Sequence, residues 1–270
     1  MTTIAAALQA VNARIAKAAQ AAGRRTDEIT LLAVSKTFSA QTIREAYMAG
    51  QIAFGESYVQ EALPKIRALA ELPTDLPIEW HVAPEHLQID TQEGDVRPSA
   101  GVASRLAPGT LLRPLEWHFI GPIQSNKAKL IAENFAWVHS VDREKIAAAL
   151  SRYRPAALPP LRVCLQVNVS GEATKSGVAA ADVAALAAVV TRMPRLNLCG
   201  LMTIPAPTES LEQQSASFRA LRQLRDELNQ TSGLKLETLS MGMSADLEAA
   251  IAEGATLVRV GTAIFGGRGL

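Results

Sequence analysis

Two charged residues, Lys36 and Arg259, and two loops of small residues, Ser240-Met241-Gly242-Met243-Ser244 and Gly261-Thr262, have types and spacing suited to chemistry. Lys36 closes the apolar run Leu31-Leu32-Ala33-Val34-Ser35-Lys36. Side chains alternate along a strand, so Leu32, Val34 and Lys36 share one face. A lysine at that position either snorkels to solvent or serves as an amine kept partly neutral by its surroundings, able to condense with an aldehyde. Near the C-terminus Leu257, Arg259 and Gly261 share a face, and Val258 and Val260 take the other. A guanidinium placed there needs an acceptor, supplied by a structural ion pair or by a ligand. Ser244, just ahead of Asp246 and Glu248, suits a plain helix cap or a hydroxyl aimed at a phosphate. Gly261-Thr262 at a helix start supplies backbone N–H groups and a hydroxyl, which an oxyanion requires. Lysine, arginine and two such loops around one space suit an aldehyde that carries a phosphate.

The elements that position these residues alternate with regularity. Ile4, Leu8, Val11 and Ile15 recur at helical spacing and predict an opening helix that Gly23 ends. The lysine strand follows, then a helix from about Ser39 to Ala49 stopped by Gly50. Further strands are predicted at Ile52–Phe54, Leu115–His118, Ala136–Ser140, Leu161–Val169, Leu196–Ile204, Leu236–Leu239 and Leu257–Val260, each followed by a helical pattern. Ser210 and Gln213 form a candidate capping box for a long helix carrying Phe218, Leu221, Leu224 and Leu228. Eight strand–helix steps in a chain of 270 residues predict a single-domain α/β fold, a closed (β/α)8 barrel with an extra N-terminal helix. An open doubly wound sheet is the alternative, but no G-x-G-x-x-G follows the first strand. In a barrel the active face lies at the strand C-termini, and phosphate is often held after strands seven and eight. The two small-residue loops lie there. Residues 73 to 114 break the rhythm with Pro73, Pro77, Pro84, Pro98, Pro108 and Pro114 and read as an irregular insertion. Near-copies bracket it, Ile78-Glu79-Trp80-His81 and Leu115-Glu116-Trp117-His118.

Composition narrows the function classes. A hydrophobic fraction of 48% supports a large core, and a net charge of +1 gives no general attraction to nucleic acid. The alanine-rich N-terminus carries Arg14 and Lys17 within its apolar pattern, so it is read as neither a signal peptide nor a membrane span, and the protein as cytoplasmic. Cys164 and Cys199 read as small core residues without zinc spacing. His81, His86, His118 and His139 have no metal spacing either; His118, ending the third strand, and Asp142, just past the fourth, are placed to line the mouth. No G-x-S-x-G and no nucleophile triad is present.

Six motifs in order, Leu32-Ala33-Val34-Ser35-Lys36, Phe54-Gly55-Glu56-Ser57-Tyr58-Val59-Gln60-Glu61, Trp117-His118-Phe119-Ile120-Gly121-Pro122-Ile123-Gln124-Ser125-Asn126-Lys127, Gly200-Leu201-Met202, Ser240 to Asp246 and Arg259 to Gly266, closely resemble the pyridoxal phosphate homeostasis proteins. That family has the barrel of the alanine racemase N-terminal domain. The resemblance implies that Lys36 forms an internal aldimine with pyridoxal 5′-phosphate. It implies that Ser244, Gly261 and Thr262 hold the phosphate and that Arg259 lies at the pyridine nitrogen. The family usually has Asn where this chain has Ser57, and the insertion at 73 to 114 is longer than the family's link. The expected function is that of a monomeric carrier and reservoir of pyridoxal phosphate, with cofactor-dependent apo-enzymes as recipients and without robust catalysis. Two points favour a carrier. An arginine is a donor only and leaves the pyridine nitrogen unprotonated, a weaker electron sink. The chain also ends soon after Thr262, without a second domain to supply another acid/base group or cover the site. The competing expectations are an amino-acid racemase using the same cofactor and a cofactor-free Schiff-base aldolase.

Overall fold

The computed structural model describes residues 3–70, 114–171, 176–206, 208 and 210–267. The insertion read at about 73–114 lies outside them, apart from its last residue.

The strands are β1 (Thr30–Val34), β2 (Ala53–Glu56), β3 (Glu116–Phe119), β4 (Trp137–Val141), β5 (Leu161–Asn168), β6 (Val178–Ala179), β7 (Leu196–Met202), β8 (Thr238–Ser240) and β9 (Leu257–Val260). Their order is β4-β3-β2-β1-β9-β8-β7-β5, closed by a β4–β5 pairing, with the two-residue β6 added to the end of β5. Every pairing is parallel. Leaving out β6, these strands make a closed eight-stranded (β/α)8 barrel. The helices are α1 (Ile4–Ala21), α2 (Ala40–Met48), α3 (Val59–Leu69), α4 (Ala128–Asn134), α5 (Glu144–Tyr153), α6 (Val183–Val190), α7 (Leu211–Ser232), α8 (Leu247–Ala252) and α9 (Thr262–Phe265).

Alternation along the strands makes two cores. Leu31, Ala33, Val258 and Val260 point outward and join the large layer under the helices. Leu32, Ala53 and Leu257 point inward and form a small apolar cluster with Ile120. The helix-facing placement of the two valines follows the sequence expectation, and Arg259 is thereby turned into the barrel.

The opening helix forms as the spacing predicts. It buries Leu8, Val11 and Ile15, each worth about 1.5–3 kcal/mol of apolar burial, and Thr3 Oγ1 caps it by accepting from Ala6 N–H at 3.2 Å. Gly23 and Gly50 take left-handed φ values of 65° and 94° just past α1 and α2, where a helix end favours glycine. The capping box of α7 is only half realised. Ser210 Oγ accepts from Gln213 N–H, but the Gln213 side chain turns to Thr208, whose hydroxyl takes the Ser210 N–H instead. Cys164 is buried as expected; Cys199 is only partly buried.

Candidate functional site at the C-terminal mouth of the barrel

Lys36 lies two residues beyond β1, in the turn that leads to α2, so the strand ends at Val34 rather than on the lysine. Ser35 N–H still donates to Gly55 O at 3.0 Å and its hydroxyl to Glu56 Oε1 at 2.7 Å, and beyond it the chain turns, Phe38 N–H donating to Ser35 O at 3.1 Å. Lys36 is half-buried at the barrel mouth. The neighbouring wall is β9. Leu32 is in register with Arg259 and Ala33 with Val260, so Gly261 reaches the level of Val34. A Cβ on Gly261 would stand 3.2 Å from Val34 O, a tight contact that would push the two chains apart by a few tenths of an ångström. Phe38, just after the lysine, packs on Phe265 of α9 with ring centroids 4.9 Å apart. The lysine turn and the Gly261-Thr262 helix start are thus neighbours. Thr262 is exposed there, at the start of α9, where Ile264 and Phe265 N–H donate to Gly261 O and only the Thr262 and Ala263 N–H groups precede the first helical bond.

Ser244 sits in the turn after β8 and is half-buried, but it is not the helix cap that the sequence suggests. The helix begins at Leu247 with Asp246 at its N-cap position, and the Asp246 carboxylate turns back to accept from Met243 N–H at 2.5 Å. That bond folds 243–246 into a turn, and the Ser244 hydroxyl is not engaged as a cap. Arg14 of α1 secures the same loop, donating to Ser244 O at 3.1 Å while pairing with Glu248. Gly242 has φ 91°, and a Cβ on it would lie 2.5 Å from the Ala250 Cβ. Its carbonyl accepts from Arg259 N–H at 3.0 Å, which ties this loop to β9.

Arg259 is buried inside the barrel, deeper than Lys36. Nη1 donates to Ser240 O at 2.7 Å and to Ser240 Oγ at 2.8 Å, and Nη2 donates to Thr203 O at 2.9 Å. Burial lowers its pKa to about 10, which still leaves it charged at neutral pH. The structural ion pair offered by the sequence reading is not what holds it: backbone carbonyls and one hydroxyl do.

From Ser240 a hydrogen-bonded chain crosses the barrel, and donor counting fixes its direction. Arginine only donates, so Ser240 Oγ accepts from it; Glu116 at the other end only accepts, and with both intervening histidines neutral the Ser240 hydroxyl donates to His139 Nδ1 at 2.8 Å. His139 and His118 are both buried, and burial holds both pKa values down, His139 the more strongly. A neutral His139 then carries its proton on Nε2 and donates to His118 Nδ1 at 2.9 Å. His118 Nε2–H in turn donates to Glu116 Oε1 at 2.9 Å. Glu116, at the N-terminal end of β3, also accepts from Trp137 Nε1 at 3.0 Å and from Arg162 Nη2 at 2.5 Å. Burial alone would raise its carboxyl, but the hydrogen bonds from His118 and Arg162 and the Arg162 charge override that and hold it below the ordinary carboxylate range. His118 therefore lies in the barrel interior and does not line the mouth: the strand alternation that turns Trp117 and Phe119 outward turns it inward. Asp142 pairs with its neighbour Arg143 at 2.6 Å. His118 and His139 have core roles, and among the described residues no group of His, Cys, Asp and Glu could hold a metal ion.

Sequence reasoning missed Thr203, Ser240 and His139 as supports of Arg259. The available signal was Glu116 and His118 on one strand and His139 on the next, polar residues at alternate positions in otherwise apolar strands.

The alanine racemase N-terminal domain family matches residues 7–269. A pyridoxal phosphate homeostasis protein of Pseudomonas aeruginosa is 53% identical over 99% of this chain and 97% of its own length. This chain belongs to the pyridoxal phosphate homeostasis protein family. The family's Escherichia coli K12 member is 46% identical over 99% of this chain and 98% of its own. PipY of Synechococcus elongatus, solved with PLP bound, is a 33% identical family relative with a TM-score of 0.70, covering 93% of this chain and 100% of its own. Alanine racemase of Corynebacterium glutamicum shares the barrel fold at a TM-score of 0.59 and 17% identity, over 95% of this chain and 60% of that one.

Proposed function

We propose that this protein carries and stores pyridoxal 5′-phosphate for intracellular cofactor supply, with Lys36 as the covalent attachment point and without robust catalysis of its own. The relatives' shared name and the bound PLP of PipY support the cofactor class. The donor set fits that group. Among the described residues, three of Arg259's five donor hydrogens go to Ser240 and Thr203, which leaves two for an acceptor such as an unprotonated ring nitrogen. Ser244, Gly261 and Thr262 supply hydroxyls and backbone N–H groups for a phosphate on the wall beside the lysine. The cofactor brings an aldehyde and an electron-accepting ring. Lys36 would hold the cofactor by supplying the amine for that aldehyde.

The observation that carries the carrier reading is the anchoring of Arg259. A guanidinium held by carbonyls and a hydroxyl stays charged and can only donate. It keeps its partner nitrogen unprotonated, and the ring then accepts electrons less readily than one paired with an acid. Cofactor-dependent apo-enzymes are the recipients, and the protein acts as a cytoplasmic monomer. Two free thiols, Cys164 and Cys199, suit a reducing compartment, and among the described residues no helix is long and apolar enough to cross a membrane.

The test loads the protein, removes free cofactor, and mixes it with an apo-transaminase while a parallel sample is assayed for D-amino acid formation. Recovery of transaminase activity without D-amino acid is the expected result. Racemisation at multiple turnovers with no transfer would overturn the reading.

A further inference from the structure

Thr37, the residue after Lys36, has φ 71°, the left-handed region that a β-branched residue rarely adopts. Such a conformation persists only where its surroundings over-determine it. Here they do so through a buried ion cluster. Thr37 N–H donates to Glu61 Oε1 at 2.5 Å. Lys65 Nζ donates to the same oxygen at 2.5 Å, to Glu56 Oε1 at 2.9 Å and to Ser35 O at 3.0 Å. Ser35 Oγ completes the ring by donating to Glu56 Oε1 at 2.7 Å. All three ammonium protons are placed, and both chain neighbours of Lys36 are tethered to one cluster.

The cluster is poorly explained as a source of stability. Lys65 is 7% exposed and Glu56 0%. Burying an ion pair costs desolvation that its attraction often fails to recover, and apolar residues of the same volume usually do as well. Two carboxylates also share one ammonium, and the buried Glu56 Oε2 has no hydrogen-bond partner among the described residues. Burial pushes the Glu56 carboxyl above its ordinary range, against the pull of Ser35 and Lys65. What the arrangement does secure is direction: α3, through Glu61 and Lys65, and β2, through Glu56, grip the backbone on either side of one lysine.

We propose that Lys65, Glu56 and Glu61 are positioning residues for Lys36: they hold the left-handed turn at Thr37 and thereby fix where the lysine amine enters the barrel mouth. The proposal rests on the reading of Lys36 as the cofactor lysine. None of the three needs to touch the cofactor; they act through the Ser35-Lys36-Thr37 backbone.

The test uses the full chain with pyridoxal phosphate as probe and measures the dissociation constant, the rate of adduct formation and the adduct position after borohydride reduction and peptide mapping. Glu61→Ala removes the acceptor of the Thr37 N–H and one of the three Lys65 acceptors, from a side chain already 31% exposed, so its fold should survive. Lys65→Met removes the ammonium at similar volume. Each should still bind on Lys36 at saturation, with affinity and rate lowered by about tenfold, the effect of one lost charge-assisted hydrogen bond. Thr37→Gly is the discriminating rescue, because glycine adopts the left-handed turn without strain. Added to Glu61→Ala or Lys65→Met it should restore the affinity to within about threefold of the parent without restoring the melting temperature. Unchanged affinity in Glu61→Ala and Lys65→Met, or a loss that Thr37→Gly does not relieve, overturns the proposal while leaving Lys36 in place. A parent adduct that maps away from Lys36 overturns the reading beneath it and takes this proposal with it.

Discussion

Ser240→Ala tests the internal support of Arg259. The serine hydroxyl accepts from Arg259 Nη1 at 2.8 Å and donates to His139 Nδ1 at 2.8 Å, so its removal breaks two buried bonds at once. A hydrogen bond to a charged group is worth about 1.5–3 kcal/mol, and an orphaned buried acceptor costs about 1–3 kcal/mol. The losses are not additive, because Arg259 Nη1 keeps its 2.7 Å bond to the Ser240 carbonyl. We therefore expect a destabilisation of about 2–4 kcal/mol in total. In a chain of this size each kcal/mol lowers the melting temperature by roughly 2 °C, so calorimetry should show a drop of about 4–8 °C. A double-mutant cycle makes the test specific. Ser240→Ala and His139→Leu remove opposite ends of one bond, so together they should cost less than the sum of the singles, by about 1 kcal/mol or more. A Ser240→Ala protein melting within about 1 °C of the parent, or strict additivity in the cycle, would refute the chain of bonds from Arg259 to His139.

Acid should weaken the fold in a definite window. Burial depresses the pKa values of His118 and His139, so only the unfolded chain takes up protons there as pH drops below about 6.5. The stability they confer is therefore complete above that value and is lost on the way down; melting temperatures from pH 7.5 to 5 should fall, less so in His139→Leu, and a flat profile would contradict the neutral assignment. Gly242→Ala would set a Cβ 2.5 Å from the Ala250 Cβ at φ 91°, and should lower the melting temperature and loosen cofactor retention together; normal retention would show that the loop yields freely. Thr262→Val keeps the shape and removes a hydroxyl worth about 1.5–3 kcal/mol to a phosphate, so cofactor should be lost on dialysis roughly tenfold faster. Equal rates for parent and variant would move the phosphate elsewhere.

The fold was largely legible because its signals are local. The period of α1, the glycines after α1 and α2, and the outward Val258 and Val260 each state one element's environment, and the closed barrel follows from their alternation. Element edges were less legible. Placing Lys36 on β1 extended an apolar pattern through Ser35, whereas tertiary bonds to Gly55 and Glu56 bend the chain there. Ser244 looked like a cap for the same reason: its sequence neighbours suit one, but Asp246 satisfies the turn. The site's supports were the least legible. Arg259, Ser240, His139, His118 and Glu116 stand far apart in sequence and meet only because β3, β4, β8 and β9 face one interior. Lys65 had an i,i+4 partner in Glu61, visible in the sequence, but its contact with Ser35 depends on how α3 packs on the barrel.

The claim on which the rest depends is that Lys36 binds pyridoxal phosphate covalently. The parent and Lys36→Ala should be incubated with the cofactor, reduced with borohydride, freed of excess ligand and digested for peptide mapping by mass. The parent should show visible absorbance before reduction and a single cofactor-sized mass addition on the peptide containing Lys36; Lys36→Ala should remain folded and show neither. A stable addition on Lys65 or Lys127 in the parent, or an unchanged adduct in Lys36→Ala, would contradict the account.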